Sequence, residues 1–511
     1  MTDIVFMFEV HQPYRLRKDI PISIIRRALE GRLSLAELND VLFDNSLNEY
    51  IIRKAFENCY KPATRILIEE SLKLREIGKF FRFSLSVSGV FIEQSKKWVP
   101  DLIEIFREVA NENIAEFIDQ TYYHSLASLL PDNDELIEQL NMHRGLIKDI
   151  TGKEPIVVEN TEFIYNNNIA CLMERLGYKV VLTEGVNKIL GWRSPNYVYR
   201  PWNCEIRVLT RNYRLSDDLG FRFSDKKWDQ YPLTADKYAA WITLTPGDVI
   251  FIAMDYETFG EHHPPETGIH DFLKWLPHEL TKYPNISVEF PSITAFKYPI
   301  RDVYDVPPWM TISWADERDL SAWLGNDFQK LAFEIYTSLE PYIKAIGGEV
   351  LRLWRLLGTT DHYYYMATKP GSLGEVHMYF SPYKSLPQAF KTLIDALDIL
   401  VNYVVSEISS NPLKYVKRIK LPRDKAFYFY LSYNAPTGIS ARSLEELTSA
   451  LQIVPSESIA FHIRRGDLAQ WIKTMFYLED LSNALNELGK YDLSPSKLKR
   501  KAIEVIKAYL D

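Results

Sequence analysis

Cysteine is scarce: Cys59, Cys171 and Cys204 are the only three in a chain of 511 residues. An odd, widely spaced set supplies neither a disulfide framework nor metal-ligand spacing, and it fits a reducing compartment. Long apolar runs are missing as well, so no membrane span or membrane partner is expected. The opening Met1-Thr-Asp-Ile-Val-Phe has no basic segment followed by an apolar stretch, which predicts no cleaved leader and a cytoplasmic location. An excess of basic charge is also lacking. The net charge is -8, which argues against nucleic acid, because phosphate binding needs a concentrated basic face. The local cluster of Lys497, Lys499, Arg500 and Lys501 reads as a solvated helix face. No internal repeat or low-complexity tract is visible.

The chain is long enough for a large catalytic domain and a smaller one. Aromatic residues make up 13% of it; their faces stack on sugar rings, and they also fill large cores. Residues 4–10 form an apolar run that predicts a buried strand, stopped at His11-Gln12-Pro13 because proline breaks the ladder. Helix is expected over 36–79, 99–112 and 133–151, the last stopped by Gly152. Strands are expected over 81–90, 115–119, 155–159, 179–183 and 248–254. Strands alternating with helices argue for a parallel α/β sheet. His11, His124, Glu162 and Asp255 all stand just past apolar strand ends, where such folds place their sites, and should converge at one mouth of a barrel.

From about residue 320 the pattern changes to long helices over 327–346, 348–357 and 387–406, with Pro341 expected to kink or split the first. Residues 409–412 read as a linker. Beyond it, two or three short strands and two helices are expected, including a strand over 458–463 followed by a polar cluster of His462, Arg464, Arg465, Asp467 and Trp471.

Glycoside cleavage needs two carboxyl groups flanking the scissile bond. Asn160-Thr161-Glu162 and Met254-Asp255-Tyr256 each follow a strand. An acid beside Tyr256 and Phe259 can be kept protonated by desolvation, as a proton donor requires. Glu159 is a second nucleophile candidate that residue types alone do not exclude, although strand alternation would put it on the face opposite Glu162. Glu257 and Glu261 either bias Asp255 toward its protonated form or face solvent. His262 and His263 lack a helical His-x-x-x-His partner, so no metal site is expected.

The motifs also form an ordered series. His11-Gln12-Pro13 comes first, then Gly89-Val-Phe-Ile-Glu93. Asn160-Thr-Glu162 with Tyr165-Asn-Asn is third, and Asp255-Tyr256-Glu-Thr-Phe-Gly-Glu261-His262 fourth. Trp314-Ala-Asp316-Glu-Arg-Asp319-Leu-Ser-Ala-Trp323-Leu-Gly-Asn326 is fifth. With Asp361-His362-Tyr-Tyr-Tyr-Met366 and residues 377–383, this series resembles glycoside hydrolase family 57, in particular its archaeal α-amylase-like members, over about residues 1–405.

The resemblance implies an incomplete (β/α)7 barrel over 1–310; the long helices read as a module over 311–408 that completes the active site, and the elements beyond them as a small C-terminal α+β domain of unknown role over 413–511. It implies a retaining mechanism without cofactor or metal, with Glu162 as nucleophile and Asp255 as acid/base, acting on α-1,4 bonds of an α-glucan or maltooligosaccharide. His11, His124, Gly89, Tyr256, Trp314, Asp316, Trp323, Asp361 and His362 are the substrate-binding candidates. Trp323 serves either core packing or sugar contact; Asp361 and His362 either touch substrate or tie the helical module to the barrel. A 4-α-glucanotransferase or branching enzyme would use the same residues. A noncatalytic glucan-binding protein on the same fold would not need both carboxyls, and a metal-dependent deacetylase would need a metal.

Overall fold

The computed structural model describes residues 1–368 and 381–510. Of the 377–383 stretch quoted above, His377 to Phe380 lie outside the described residues. The chain divides into two compact units. One comprises Met1–Lys18, Leu42–Phe333 and Gly358–Leu393; the other comprises Asp19–Val41, Glu334–Leu357 and Ile394–Asp511.

The first unit is a mixed α/β fold around a mostly parallel sheet. Its strands are β1 (Thr2–Val10), β2 (Phe83–Val87), β3 (Ala115–Ile118), β4 (Val157–Glu159), β5 (Val180–Glu184), β6 (Val198–Arg200), β7 (Arg207–Arg211), β8 (Val249–Asp255), β9 (Ile286–Val288) and β10 (Ile300–Val303). β1 lies between β2 and β8, parallel to both, with Glu9 opposite Asp255. β2 pairs with β3. The next residue after β3, Asp119, bridges to Val158 of β4. β4 pairs with β5, β5 with β7, and β7 touches β8 through one residue pair, Arg211 with Phe251. The pairing path thus returns to β1. β6, β9 and β10 add to its flanks, β6 antiparallel to β7.

Strand parity explains the interior. Val5 and Met7 of β1, Val157 of β4, and Phe251 and Ala253 of β8 share one buried apolar cluster. Two residues further on, the same faces carry Glu9, Glu159 and Asp255. Alternation with period two therefore turns one inward stripe from apolar to acidic at the strand ends. Glu159 does not oppose Glu162, contrary to expectation. The strand stops at Glu159, and a turn with positive φ at Glu162 carries both side chains to the same end.

Asp119 anchors the β3–β4 bridge. Its buried carboxylate meets His143 Nδ1 and Tyr178 Oη, each at 2.5 Å, and accepts the Gln120 N–H. His143 also reaches the Val87 carbonyl at 2.7 Å, tying the helix Asp134–Thr151 to β2.

The second unit has its own core, with Phe427, Phe429, Leu447, Ile459, Ile463, Ile472 and Leu481 among its members. A hairpin of β11 (Phe427–Ser432) and β12 (Ala435–Ala441) precedes five helices. The strand expected over 458–463 is instead the interior of the helix Ser456–Arg465. A short buried apolar run has no periodicity that separates the two. His462 bonds Asp467 at 3.0 Å and accepts the Tyr430 N–H at 2.8 Å, so the polar cluster braces the hairpin. The expected linker is absent: the helix Leu386–Ser410 runs through it, and Asn411 caps the next helix, Pro412–Val416. Pro341 does not split Asp327–Ile346.

Cys171 and Cys204 form a disulfide with Cα atoms 5.6 Å apart, and Cys59 is free and buried. This overturns the expectation of no disulfide; the fold brings together two residues 33 positions apart. Among the described residues, no helix is long and apolar enough to cross a membrane. Reduction of this bond is expected to remove about 4 kcal/mol of stability, since it frees a loop of that length in the unfolded chain. Thermal unfolding with and without reductant checks this, and a Cys171→Ser/Cys204→Ser protein should no longer respond to reductant.

Candidate active site

A cavity of about 230 Å³ opens at the acidic end of the inward stripe. Glu162, Asp255, His11, His124, Trp314, Asp316, Trp323 and Asp361 all line it. Three other candidates do not. Gly89 starts the helix Gly89–Trp98, where an added Cβ would come within 2.6 Å of the Tyr122 ring. Tyr256 is fully buried, stacked on Phe8 at 5.2 Å, with its hydroxyl 2.9 Å from Thr64. His362 is buried and is not among the residues that line the cavity.

Glu162 is held in a strained turn. Its φ is 62°, Phe163 follows at 52°, and His124 across the site is at 48°. Non-glycine residues persist there only when their surroundings over-determine them. Here the Trp314 N–H donates to the Glu162 carbonyl at 3.1 Å, and Tyr165 and Ile312 exchange two backbone bonds at 3.0 Å. Asn160 Nδ2 donates to Ser128 Oγ at 2.8 Å and to the Ile164 carbonyl at 2.9 Å, and the Thr161 and Thr121 hydroxyls bond to each other. The carboxylate is thereby aimed. Trp314 Nε1 donates to Oε2 at 2.6 Å, and His124 Nε2 faces Oε1 at 3.5 Å.

Asp255 ends β8 in a different environment. Burial, and then the charge of Glu162, raises its pKa to about 7. Glu257 is raised to about 8 by burial and by the charge of Asp255. Its Oε1 accepts Gln12 Nε2 at 3.0 Å and the Tyr60 hydroxyl. Gln12 Oε1 in turn accepts Arg15 Nη2 at 2.7 Å, so the His-Gln-Pro segment braces the acid side of the cavity. Glu261 bonds Lys54 and Asn58 instead.

The two histidines are stacked, ring centroids 4.0 Å apart, and differ in charge. His11 is pushed down to about 4 by burial and by the neighbouring charge of His124. It meets Ser88 Oγ at 2.7 Å and Asp361 Oδ2 at 3.2 Å. For Asp361, burial is outweighed by the His11 hydrogen bond, and its carboxyl stays well below the usual range. For His124, burial is outweighed by the hydrogen bond to Glu162 and the charges of Glu9 and Glu162, which raise it to about 9.

Sequence reasoning passed over Glu9, Arg211 and Asp217, which also line the cavity. Arg211 donates to Glu184 at 2.9 Å, to Asp217 at 2.7 Å and to the Ala253 carbonyl at 2.7 Å, with its guanidinium 5.7 Å from the Trp314 ring. A charged residue inside or ending an apolar strand, as in Phe6-Met7-Phe8-Glu9 and Val208-Leu209-Thr210-Arg211, was the available signal. His263 bonds Ser224 and two backbone carbonyls. Among the described residues, no group of three His, Cys, Asp or Glu could hold a metal ion.

Residues 5–307 match the model of glycosyl hydrolase family 57. A protein of Methanocaldococcus jannaschii that bears the provisional name alpha-amylase is 42% identical over 405 residues, covering 77% of this chain and 83% of that protein. Among solved structures, a family 57 branching enzyme from Thermococcus kodakaraensis aligns with a TM-score of 0.54 at 13% identity, covering 82% of this chain and 95% of that one. A 4-alpha-glucanotransferase from Thermococcus litoralis aligns at 0.51 and 16% identity over 71% of this chain, which spans only 56% of its length. At such identities the structures speak for the fold alone. The family match over most of the first unit, together with the M. jannaschii relative, shows that this chain belongs to glycosyl hydrolase family 57 and is a glycoside hydrolase or transferase.

Proposed function

We propose that the chain is a retaining α-glucan hydrolase of the α-amylase type, with Glu162 as nucleophile and Asp255 as acid/base. One observation carries the reading: both carboxyls line one cavity, and burial plus the Glu162 charge puts Asp255 at about 7, so that it holds a proton while Glu162 is set among donors. We read the closed pairing path through β1, β2, β3, β4, β5, β7 and β8 as the incomplete (β/α)7 barrel, with Trp314, Trp323 and Asp361 completing the site from beyond residue 310.

In this mechanism Asp255 protonates the glycosidic oxygen as Glu162 attacks the anomeric carbon. The C–O bond to the leaving chain breaks and a glycosyl ester forms on Glu162. Asp255, now a base, takes a proton from water, which attacks the same carbon and frees Glu162. Asp361, held ionised by His11, is an acceptor for sugar hydroxyls. Trp323 lines the same cavity and is a stacking surface for a sugar ring. The name of the M. jannaschii relative favours hydrolysis over transfer. Transfer would use the same carboxyls, with a sugar hydroxyl in place of water.

Glu162→Gln is expected to lower turnover of maltoheptaose by roughly ten-thousandfold or more while substrate still binds, read by activity assay and calorimetry. Asp255→Asn should cost about 100- to 10,000-fold on the same substrate and far less on an activated aryl glycoside, whose leaving group needs no proton. Chromatography of the maltoheptaose products should show only shorter chains; chains longer than the substrate would establish transfer. Because Asp255 must enter protonated, kcat/KM should fall as pH rises through about 7, and a pH–rate profile checks this.

A further inference from the structure

Beneath the Glu162 carboxylate lies a buried acid pair that the reaction above does not use. Glu9 closes the inward stripe of β1 and Glu159 that of β4, at 4% and 1% exposure. Among the described residues, no lysine or arginine pairs with either. The basic group at Glu9 is His124, with Nδ1 3.5 Å from Oε1.

The hydrogen bonds around the pair fix a direction. Gln120 Nε2 donates to Glu9 Oε1 at 2.8 Å and to Ser86 Oγ at 2.9 Å. The Ser86 hydroxyl donates to Glu159 Oε1 at 2.5 Å. An amide whose nitrogen is so engaged must present its oxygen on the other side, and Gln120 Oε1 stands 2.9 Å from His124 Nδ1. That ring nitrogen therefore carries a proton. The other, Nε2, faces the Glu162 carboxylate at 3.5 Å, which is also an acceptor. With acceptors at both nitrogens, the imidazolium is the form that satisfies the ring.

Charge closes on the same answer. Two buried carboxyls side by side resist double ionisation and titrate as a pair. One proton retained between Glu9 and Glu159 leaves a single negative charge against the imidazolium. Burial and then the charge of Glu159 raise Glu9 well above the usual range. Burial raises Glu159 to about 7 against its hydrogen bonds from Glu9 and Ser86, with Glu162 and Asp255 adding to the rise. The remaining groups facing His124 are the neutral His11 ring and Asp361.

We propose that Glu9 and Glu159 share one proton and, through Gln120, act as positioning residues that hold His124 as an imidazolium beneath Glu162. The consequence for the reaction rests on the reading of Glu162 as nucleophile. When Glu162 becomes an ester its charge disappears, and the single negative charge of the Glu9–Glu159 pair is the counter-ion that keeps His124 charged until the carboxylate returns.

The test is a titration of the full chain carrying 13C at histidine Cε1, with the His124 signal assigned by its loss in His124→Asn. In the wild type the signal should titrate near 9. Glu9→Gln should lower the midpoint by about one pH unit or more, because the carboxyl nearest His124 is gone and with it that residue's share of the pair's charge. Glu159→Gln should leave it within about half a unit, because the new amide donates to Glu9 and keeps it an anion. A merely structural pair would not produce this asymmetry. Equal shifts in the two variants, or none in Glu9→Gln, overturn the proposal. A wild-type midpoint below the ordinary histidine value of about 6.5 overturns it without any variant. No turnover is needed, so an active Glu162→Gln protein would sink the proposed reaction and leave this result standing.

Discussion

Burial makes it costly for acidic groups to give up their protons, crowding several of them at one cavity adds repulsion, and the site is arranged around that combined cost. Asp255 and Glu257 respond by rising to about 7 and about 8. Glu162, by contrast, receives the Trp314 indole N–H and faces His124. Acids that hold protons thus stand across from one that is met by donors. That division of labour is what the proposed two-carboxyl reaction demands, and it follows from burial and neighbours rather than from residue type.

The arrangement depends on where the strands stop. Period-two alternation brings Glu9, Glu159 and Asp255 inward without any special geometry. Glu162 gets there differently, through a left-handed turn that the strand pattern does not supply. Backbone bonds from Trp314 and between Tyr165 and Ile312 hold that turn, so the fifth sequence motif supports the third as much as it lines the cavity.

Much of this was legible in the residues. The apolar runs of β1, β4, β5 and β8 announced themselves, and the polar residues just past them marked the site because parallel sheets concentrate chemistry there. What could not be read was tertiary. Gly89 and Tyr256 belong to motifs for packing reasons: one lets a tyrosine ring come close, the other fills space against Phe8. The disulfide joins residues whose approach only the fold decides. The run around Ile459 and Ile463 is as apolar as a strand, and the sequence does not distinguish it from one. Glu9 was hidden by its neighbours, since one acid in a buried strand looks like an interruption until the cavity beyond it is seen.

The closed pairing path is not equally strong all the way round. Most neighbouring strands share several residue pairs, but β3 meets β4 through Asp119 alone and β7 meets β8 through Arg211 alone. At each join a side chain supplements the missing ladder: the Asp119 carboxylate with His143 and Tyr178, the Arg211 guanidinium with the Ala253 carbonyl. These joins split the ring into two arcs. Glu162 rides on the arc of β4, β5 and β7, and Asp255 on the arc of β8, β1, β2 and β3. The space between Glu162 and Asp255 is therefore spanned by two narrow joins rather than by continuous sheet, and a change at either join would alter that space without altering either acid.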